Sequence, residues 1–154
     1  LWESLKAGMQ SHEGVVLTLD SFFHVHAIKI NESFRFGDAT FSPVQTVHVM
    51  NGNGIVSSYG LFIESFEQKT FLTTDTQFCP RQIEKFYQRS DLIFQDCETT
   101  SYRSGVHAHY NDLMTLDEET REKMWLYHYQ PDPHQDSRKY GFCGFVSKGD
   151  SFTV

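Results

Sequence analysis

Asp75, His48 and His128 are the residues whose types and places in the chain could do chemistry. Asp75 follows a short β-forming run, Thr70-Phe71-Leu72-Thr73, and sits within Thr74-Asp75-Thr76, ahead of Pro80. A carboxylate leaving the C-terminal end of a buried strand is where sheet enzymes place metal ligands and catalytic acids. The plainer role for Asp75 is to cap the helix that follows. His48 closes a strand-like run beginning at Val44, and His128 lies in another between Trp125 and Tyr129. Two imidazoles and one carboxylate, each at a strand edge, form a donor set suited to zinc, iron or manganese.

Several elements must position these groups. Residues 1–10 read as a short helix with Leu1, Leu5 and Met9 on one face, and residues 11–14 as a turn. Residues 15–19 and 22–30 alternate as strands do, joined at Asp20-Ser21. Asn31-Glu32-Ser33 turns the chain into Phe34-Arg35-Phe36, and Gly37-Asp38 turns it again into a strand over 40–50. Asn51-Gly52-Asn53-Gly54 is either a plain hairpin loop or a border of the site that admits substrate. Residues 59–64 and 69–73 form a further hairpin. Pro80 suits a first helical turn, and Ile83, Phe86 and Tyr87 give the helix over 80–89 an apolar stripe. The Leu92-Ile93-Phe94 run reads as a buried strand, so strand, helix and strand form a parallel βαβ unit. Asp117, followed by Glu118 and Glu119, predicts a helix N-cap, and residues 124–129 a strand. The tail over 138–154, with Gly141-Phe142-Cys143-Gly144-Phe145-Val146, reads as a last strand or an extended packing segment.

The order of these motifs resembles one family. The strand ending in His48, then Ser58-Tyr59-Gly60-Leu61-Phe62-Ile63-Glu64, Phe71-Leu72-Thr73-Thr74-Asp75-Thr76, Asp91-Leu92-Ile93-Phe94-Gln95-Asp96-Cys97-Glu98 and Leu126-Tyr127-His128-Tyr129, is similar to the metallo-β-lactamase superfamily. The likeness is strongest to its ribonuclease Z and phosphodiesterase branch and runs over residues 48–129. It implies an α+β or α/β fold: the C-terminal portion of an αββα sandwich, a mixed sheet with flanking helices. It also implies hydrolysis of a phosphodiester, with Asp75 bridging two ions and His48 and His128 each binding one. By the same resemblance His107 or His109 assists catalysis as a general acid or phosphate-orienting group. Asp96, Glu98 or Thr76 would be the partner that fixes a ligand imidazole.

One departure is plain. The family's His-x-His-x-Asp-His signature does not occur, because His24-Val25-His26 continues as Ala27-Ile28-Lys29 in an alternating, strand-like stretch. A three-ligand single-ion site with zinc, or else iron or manganese, is the expectation left by His48, Asp75 and His128. The alternative is a catalytically inactive half-domain that self-associates or binds a partner.

Bulk properties narrow the field. The 154 residues suit one domain, and the net charge of −7 without Lys/Arg clusters argues against a broad basic surface for nucleic acid. A small phosphodiester or RNA-like substrate remains open, since an ion can meet a phosphate in an acidic protein. Cys79, Cys97 and Cys143 are odd in number and form no C-x-x-C, so no disulfide framework and a cytoplasmic location are expected. No apolar run approaches the roughly 20 residues of a membrane span. Half a sandwich leaves an apolar sheet face uncovered, so a homo-oligomer is expected. The opening Leu1-Trp2-Glu3 lacks methionine, from which residues upstream are expected.

Overall fold

The computed structural model describes residues 2–9, 14–52 and 54–153. Its centre is a seven-stranded mixed sheet whose strands lie side by side in chain order. Phe34–Phe36 (β1), Ala39–Asn51 (β2), Gly54–Glu64 (β3) and Lys69–Leu72 (β4) pair antiparallel. Short turns suffice there, because antiparallel neighbours need only a hairpin. Leu92–Asp96 (β5), Met124–Tyr127 (β6) and Gly144–Phe145 (β7) continue the sheet in parallel from β4. Parallel neighbours need crossovers. Helix Pro80–Arg89 (α2) joins β4 to β5, and the one-turn helices Tyr110–Leu113 (α3) and Glu118–Arg121 (α4) lie between β5 and β6. The expected mixed sheet with flanking helices is therefore the observed architecture.

The core forms where α2 meets the sheet. Ile83 and Tyr87 on α2 are buried with Phe62, Phe71, Ile93, Met124 and Leu126. The Phe86 ring lies 5.4 Å from Phe62 and 5.3 Å from Phe71. Each large apolar side chain taken out of water here contributes about 1.5–3 kcal/mol. Gly60 on β3 is required by this packing. A Cβ there would stand 2.6 Å from the Leu72 carbonyl oxygen and 2.9 Å from that of Thr73.

Some sequence expectations need correction. Residues 15–19 and 22–30 are not strands: Val15 makes a single bridge, Leu19–Ser21 is a 3₁₀ turn, and the side chains are largely exposed. Apolar residues on both faces give a local β preference, but a strand exists only within a ladder, and this sheet's edge closes at β1. A helix spans Trp2–Met9 (α1), while Leu1, Gln10 and most of the turn expected at 11–14 lie outside the described residues. Asp75 caps no helix. The residue before α2 is Cys79, whose side chain makes no capping bond, and Pro80 opens the first turn. Asp117 does cap α4, its side chain accepting from the Thr120 N–H at 2.8 Å. Among the described residues no helix is long and apolar enough to cross a membrane.

Because β4, β5 and β6 run in one direction, their C-terminal ends share one edge of the sheet, the place where open sheets bind ligands. Asp75 lies just beyond β4, Asp96 ends β5, and His128 follows β6 directly.

Candidate metal centre

Four side chains meet at that edge. Asp75, Asp96, His107 and His128 each offer one donor atom, and these atoms lie within 4.8 Å of one another. Asp96 is the hub and is fully buried. Its Oδ2 accepts from His107 Nδ1 at 2.8 Å and from the Thr76 N–H at 2.9 Å, and its Oδ1 accepts from His128 Nδ1 at 3.1 Å. Three acceptor positions of a carboxylate's roughly four are thereby engaged. Asp75 differs: it is 48% exposed, and its Oδ1 lies 3.6 Å from His128 Nδ1. Asp75 therefore has oxygens to give a ligand, whereas Asp96 is suited to holding the imidazoles.

The histidines share one arrangement. His48 Nδ1 pairs with the Val106 carbonyl at 3.2 Å, as His107 and His128 Nδ1 do with Asp96. A carbonyl or carboxylate oxygen can only accept, so each Nδ1 carries the proton and each neutral ring keeps its lone pair on Nε2. That is how metal-binding histidines are usually fixed. The rings are neighbours: His107 lies 4.6 Å from His128 and 5.6 Å from His48, centroid to centroid. A hard-and-borderline donor set of this kind, at the rim of a buried carboxylate, fits a divalent ion such as zinc.

Local chain geometry aims these groups. β2 pairs Val47 with Ser57 and Val49 with Val56, so His48 is the extra residue of a bulge, a device that re-aims one side chain. The Gln77 N–H donates to Val47 O at 2.7 Å and ties the Asp75 segment to that bulge. Thr73 Oγ1 accepts from the Asp96 N–H at 3.0 Å and joins the end of β4 to that of β5. Thr74 and His128 hold left-handed backbone, with φ 54° and 65°. For a β-branched threonine this is strained, and such strain clusters at functional sites. The Thr74 hydroxyl is anchored to Ser58 Oγ at 2.9 Å.

Burial sets the remaining protonation states. It is the main cause raising the Tyr127 hydroxyl far above its ordinary pKa, with the Asp96 and Asp75 carboxylates adding to it, so Tyr127 stays a neutral donor. Burial and then Asp96 and Glu98 likewise raise the Cys97 thiol, which leaves it without nucleophilic character at neutral pH.

The structure brings together Asp75 and His128 of the expected ligands and sets His48 one ring contact away, beside His107. Of the two histidines left open as catalytic, His107 joins the cluster. His109 does not: its Nδ1 accepts from the Asn111 N–H at 3.2 Å as the α3 cap, and its Nε2 donates to Thr100 O at 3.0 Å. Sequence reasoning placed Asp96 among three candidate partners for a ligand and missed it as the hub. Its position closing the Leu-Ile-Phe strand was the available signal. His24 and His26 are exposed and far from strand-like, and they line a surface depression with Ile28, Phe34 and Arg35.

Comparison with known proteins agrees with this geometry. A family model described as "Anti-Pycsar protein Apyc1" matches residues 1–152. The Apyc1 protein of Bacillus phage vB_BsuM-Goe3 is 26% identical over 160 residues, covering 97% of this chain and 60% of the relative. That of Paenibacillus harenae is 30% identical over 157 residues, covering 100% and 61%. This chain thus spans about 60% of the length of these relatives. Among solved structures, the metallo-β-lactamase fold protein YhfI from Bacillus subtilis superposes with a TM-score of 0.59 at 19% identity, over 79% of this chain and 51% of that one. A diphosphatase of the PhnP family gives 0.58 at 19% identity, over 79% and 44%. The fold is that of the metallo-β-lactamase proteins.

Proposed function

Since the chain belongs to the anti-Pycsar Apyc1 family, we propose that it carries a metal-dependent phosphodiesterase site built on Asp75, His128 and His48, with His107 as the proton-handling residue. The observation that carries this reading is the convergence of Asp75, Asp96, His107 and His128 donor atoms within 4.8 Å at the C-terminal edge of the parallel strands. When bound, a divalent ion supplies Lewis-acid polarisation of a phosphoryl oxygen and a nucleophile available at neutral pH. The chain's own residues supply orientation. Asp96 holds His107 and His128 by their Nδ1 protons, so neither ring can turn. The lone pair on His107 Nε2 is then placed to take the proton released by the attacking water and hand it on to the departing oxygen. Tyr127, kept protonated, adds a neutral donor near the carboxylates.

A small phosphodiester suits the molecule better than RNA. The 20 acidic against 13 basic residues repel a long polyanion, while a single phosphate meets only the site. A depression of about 190 Å³ beside His107, walled by Gln77, Phe78, Arg103 and Asp112, has room for the group attached to that phosphate. The test is calorimetric titration with Zn²⁺ or Mn²⁺, then hydrolysis of bis(4-nitrophenyl) phosphate and of a cyclic mononucleotide, with and without chelator. Ion binding lost in Asp75→Ala and chelator-sensitive hydrolysis are expected. Ion binding unchanged by Asp75→Ala refutes the assignment.

A specific observation supports self-association as a second reading, with or without catalysis. Val16, Phe23, Ile30, Phe36, Met50 and Ile55 are all more than half exposed. Met50 and Ile55 face each other across the β2–β3 hairpin, and exposed apolar neighbours of this kind are a contact that a partner or a second copy would cover. Sedimentation velocity tests this; a monomer at all accessible concentrations removes it.

A further inference from the structure

Glu98 is a buried carboxylate that the cluster leaves unused. It is 2% exposed, and its Oε1 accepts from the Ser104 N–H at 2.8 Å. Its backbone N–H donates to Ala108 O at 2.8 Å, and its carbonyl accepts from the Tyr110 N–H at 3.0 Å. One residue thus fastens the start, middle and end of the loop over residues 99–108. A loop whose ends are drawn together and whose interior is filled by its own contacts is an Ω-type element. His107 rides on this loop, two residues before the His109 that bridges to Glu98.

A carboxylate is an expensive choice for a buried position unless its hydrogen bonding is needed. Glu98 lies two residues beyond β5, outside the strand ladder. What it provides is an acceptor reaching into the middle of the loop, where Ser104 turns toward Gly105 and His107. The outer side of the loop is held by other groups. Gln77 Nε2 donates to Gly105 O, His48 Nδ1 donates to Val106 O, and Arg103 pairs with Asp112 at 2.8 Å. The Glu98 charge also adds to the field that keeps Arg103 protonated. The Glu98 contact is made by a buried side chain, as are those of His109 with Thr100 O and Asp96 with His107, and it is the one that reaches the middle of the loop at Ser104.

We infer that Glu98 is a positioning residue: its carboxylate clasps the loop over residues 99–108 through Ser104 and so seats His107 against Asp96. The inference rests on the reading of His107 as the proton-handling residue, but the clasp itself does not. Without the clasp the loop opens locally, His107 spends less time on Asp96, and turnover falls while substrate binding at the carboxylate edge does not.

The variants are Glu98→Ala, which removes the acceptor, and Glu98→Gln, which keeps an oxygen for the Ser104 N–H in the same volume. In Glu98→Ala, amide hydrogen exchange over residues 99–108 is expected to quicken about tenfold or more, the effect of losing one buried acceptor. Exchange in β3 and β4 stays unchanged. The Nδ1 proton of His107, visible by NMR only while bonded to Asp96, is lost in Glu98→Ala and kept in Glu98→Gln. With bis(4-nitrophenyl) phosphate as substrate, kcat falls about tenfold in Glu98→Ala at nearly constant KM, and Glu98→Gln restores it. A merely structural role would lower stability throughout the sheet and would not split kcat from KM. Unchanged loop exchange in Glu98→Ala overturns the inference, and so does a Glu98→Gln variant whose loop exchange is as fast as that expected for Glu98→Ala. Should Glu98→Ala not fold, Glu98→Gln decides alone: wild-type loop exchange with the His107 proton retained supports the clasp, and loss of either refutes it. If the wild-type protein hydrolyses no phosphodiester, the functional reading fails, while exchange and the His107 proton still decide the clasp.

Discussion

Replacing Asp96 by asparagine separates orientation from shape. Asparagine matches aspartate in volume, but it has one accepting oxygen and an NH₂ that only donates. Asp96 now accepts from three N–H groups, Thr76 and His107 at Oδ2 and His128 at Oδ1. With the asparagine oxygen turned to Thr76 and His107, its NH₂ faces the His128 Nδ1–H, donor against donor. His128 escapes by carrying its proton on Nε2, so the nitrogen offered to an ion is no longer a lone pair. The reverse placement fails Thr76 and His107 together. One charge-assisted bond is lost in the better case, about 1.5–3 kcal/mol. At about 1.4 kcal/mol per decade this is roughly a 10- to 100-fold loss of ion affinity, the size produced by removing an orienting partner from a metal site. Calorimetric titration of both proteins with Zn²⁺ measures the loss, and long-range ¹⁵N–¹H spectra report which His128 nitrogen bears the proton. An Asp96→Asn variant that binds with wild-type affinity and keeps His128 protonated on Nδ1 would show that Asp96 orients nothing.

Other perturbations probe neighbouring parts of the argument. His107→Gln is expected to keep its ion by elemental analysis while kcat drops by about 10²-fold or more; loss of the ion instead would make His107 a ligand. Gly60→Ala drives a Cβ into the Leu72 and Thr73 carbonyls. It should cost at least the usual about 1–3 kcal/mol of overpacking in urea unfolding, with weaker ion binding because Thr74 and Asp75 follow directly. Asp117→Ala should cost about 1 kcal/mol at neutral pH by removing the α4 cap. The Thr120 N–H bond lowers the Asp117 pKa in the folded state. A carboxyl with a lowered folded value stabilises above its unfolded pKa and loses that contribution as pH falls through the folded one. Thermal melts of the two proteins should therefore converge on acidification below the ordinary carboxylate range.

What could be read in the sequence was whatever local chemistry alone determines. Pro80 and the Ile83–Tyr87 stripe marked α2, the Leu92-Ile93-Phe94 run marked β5, and Asp117 marked its helix, because caps, stripes and buried runs act within one turn or strand. Asp75 stood out because a strand stops at it. The bulge that aims His48 was not legible, since nothing in Val47-His48-Val49 distinguishes it from regular alternation. Residues 22–30 misled for the same reason, as alternation records a preference and no partner. Choosing between His107 and His109 required knowing where α3 begins, for the capping residue spends both ring nitrogens on backbone. Asp96 looked like any acid at a strand end until three N–H groups were seen to meet on it.

The switch from antiparallel to parallel pairing at β4 also sets an order in time. The β2–β3 hairpin joins residues close in sequence, the kind of contact whose loop closes at least entropic cost. Asp75, Asp96, His107 and His128 meet only after the crossovers from β4 to β5 and from β5 to β6 have closed. The site is therefore expected to be among the last parts of the molecule to assemble, because its contacts form only once these loops have closed. An ion held there stabilises the finished fold and not the species before it, so it slows unfolding without hastening folding. Metal supply would then govern how long a folded molecule lasts, while the rate at which new ones appear stays a property of the chain.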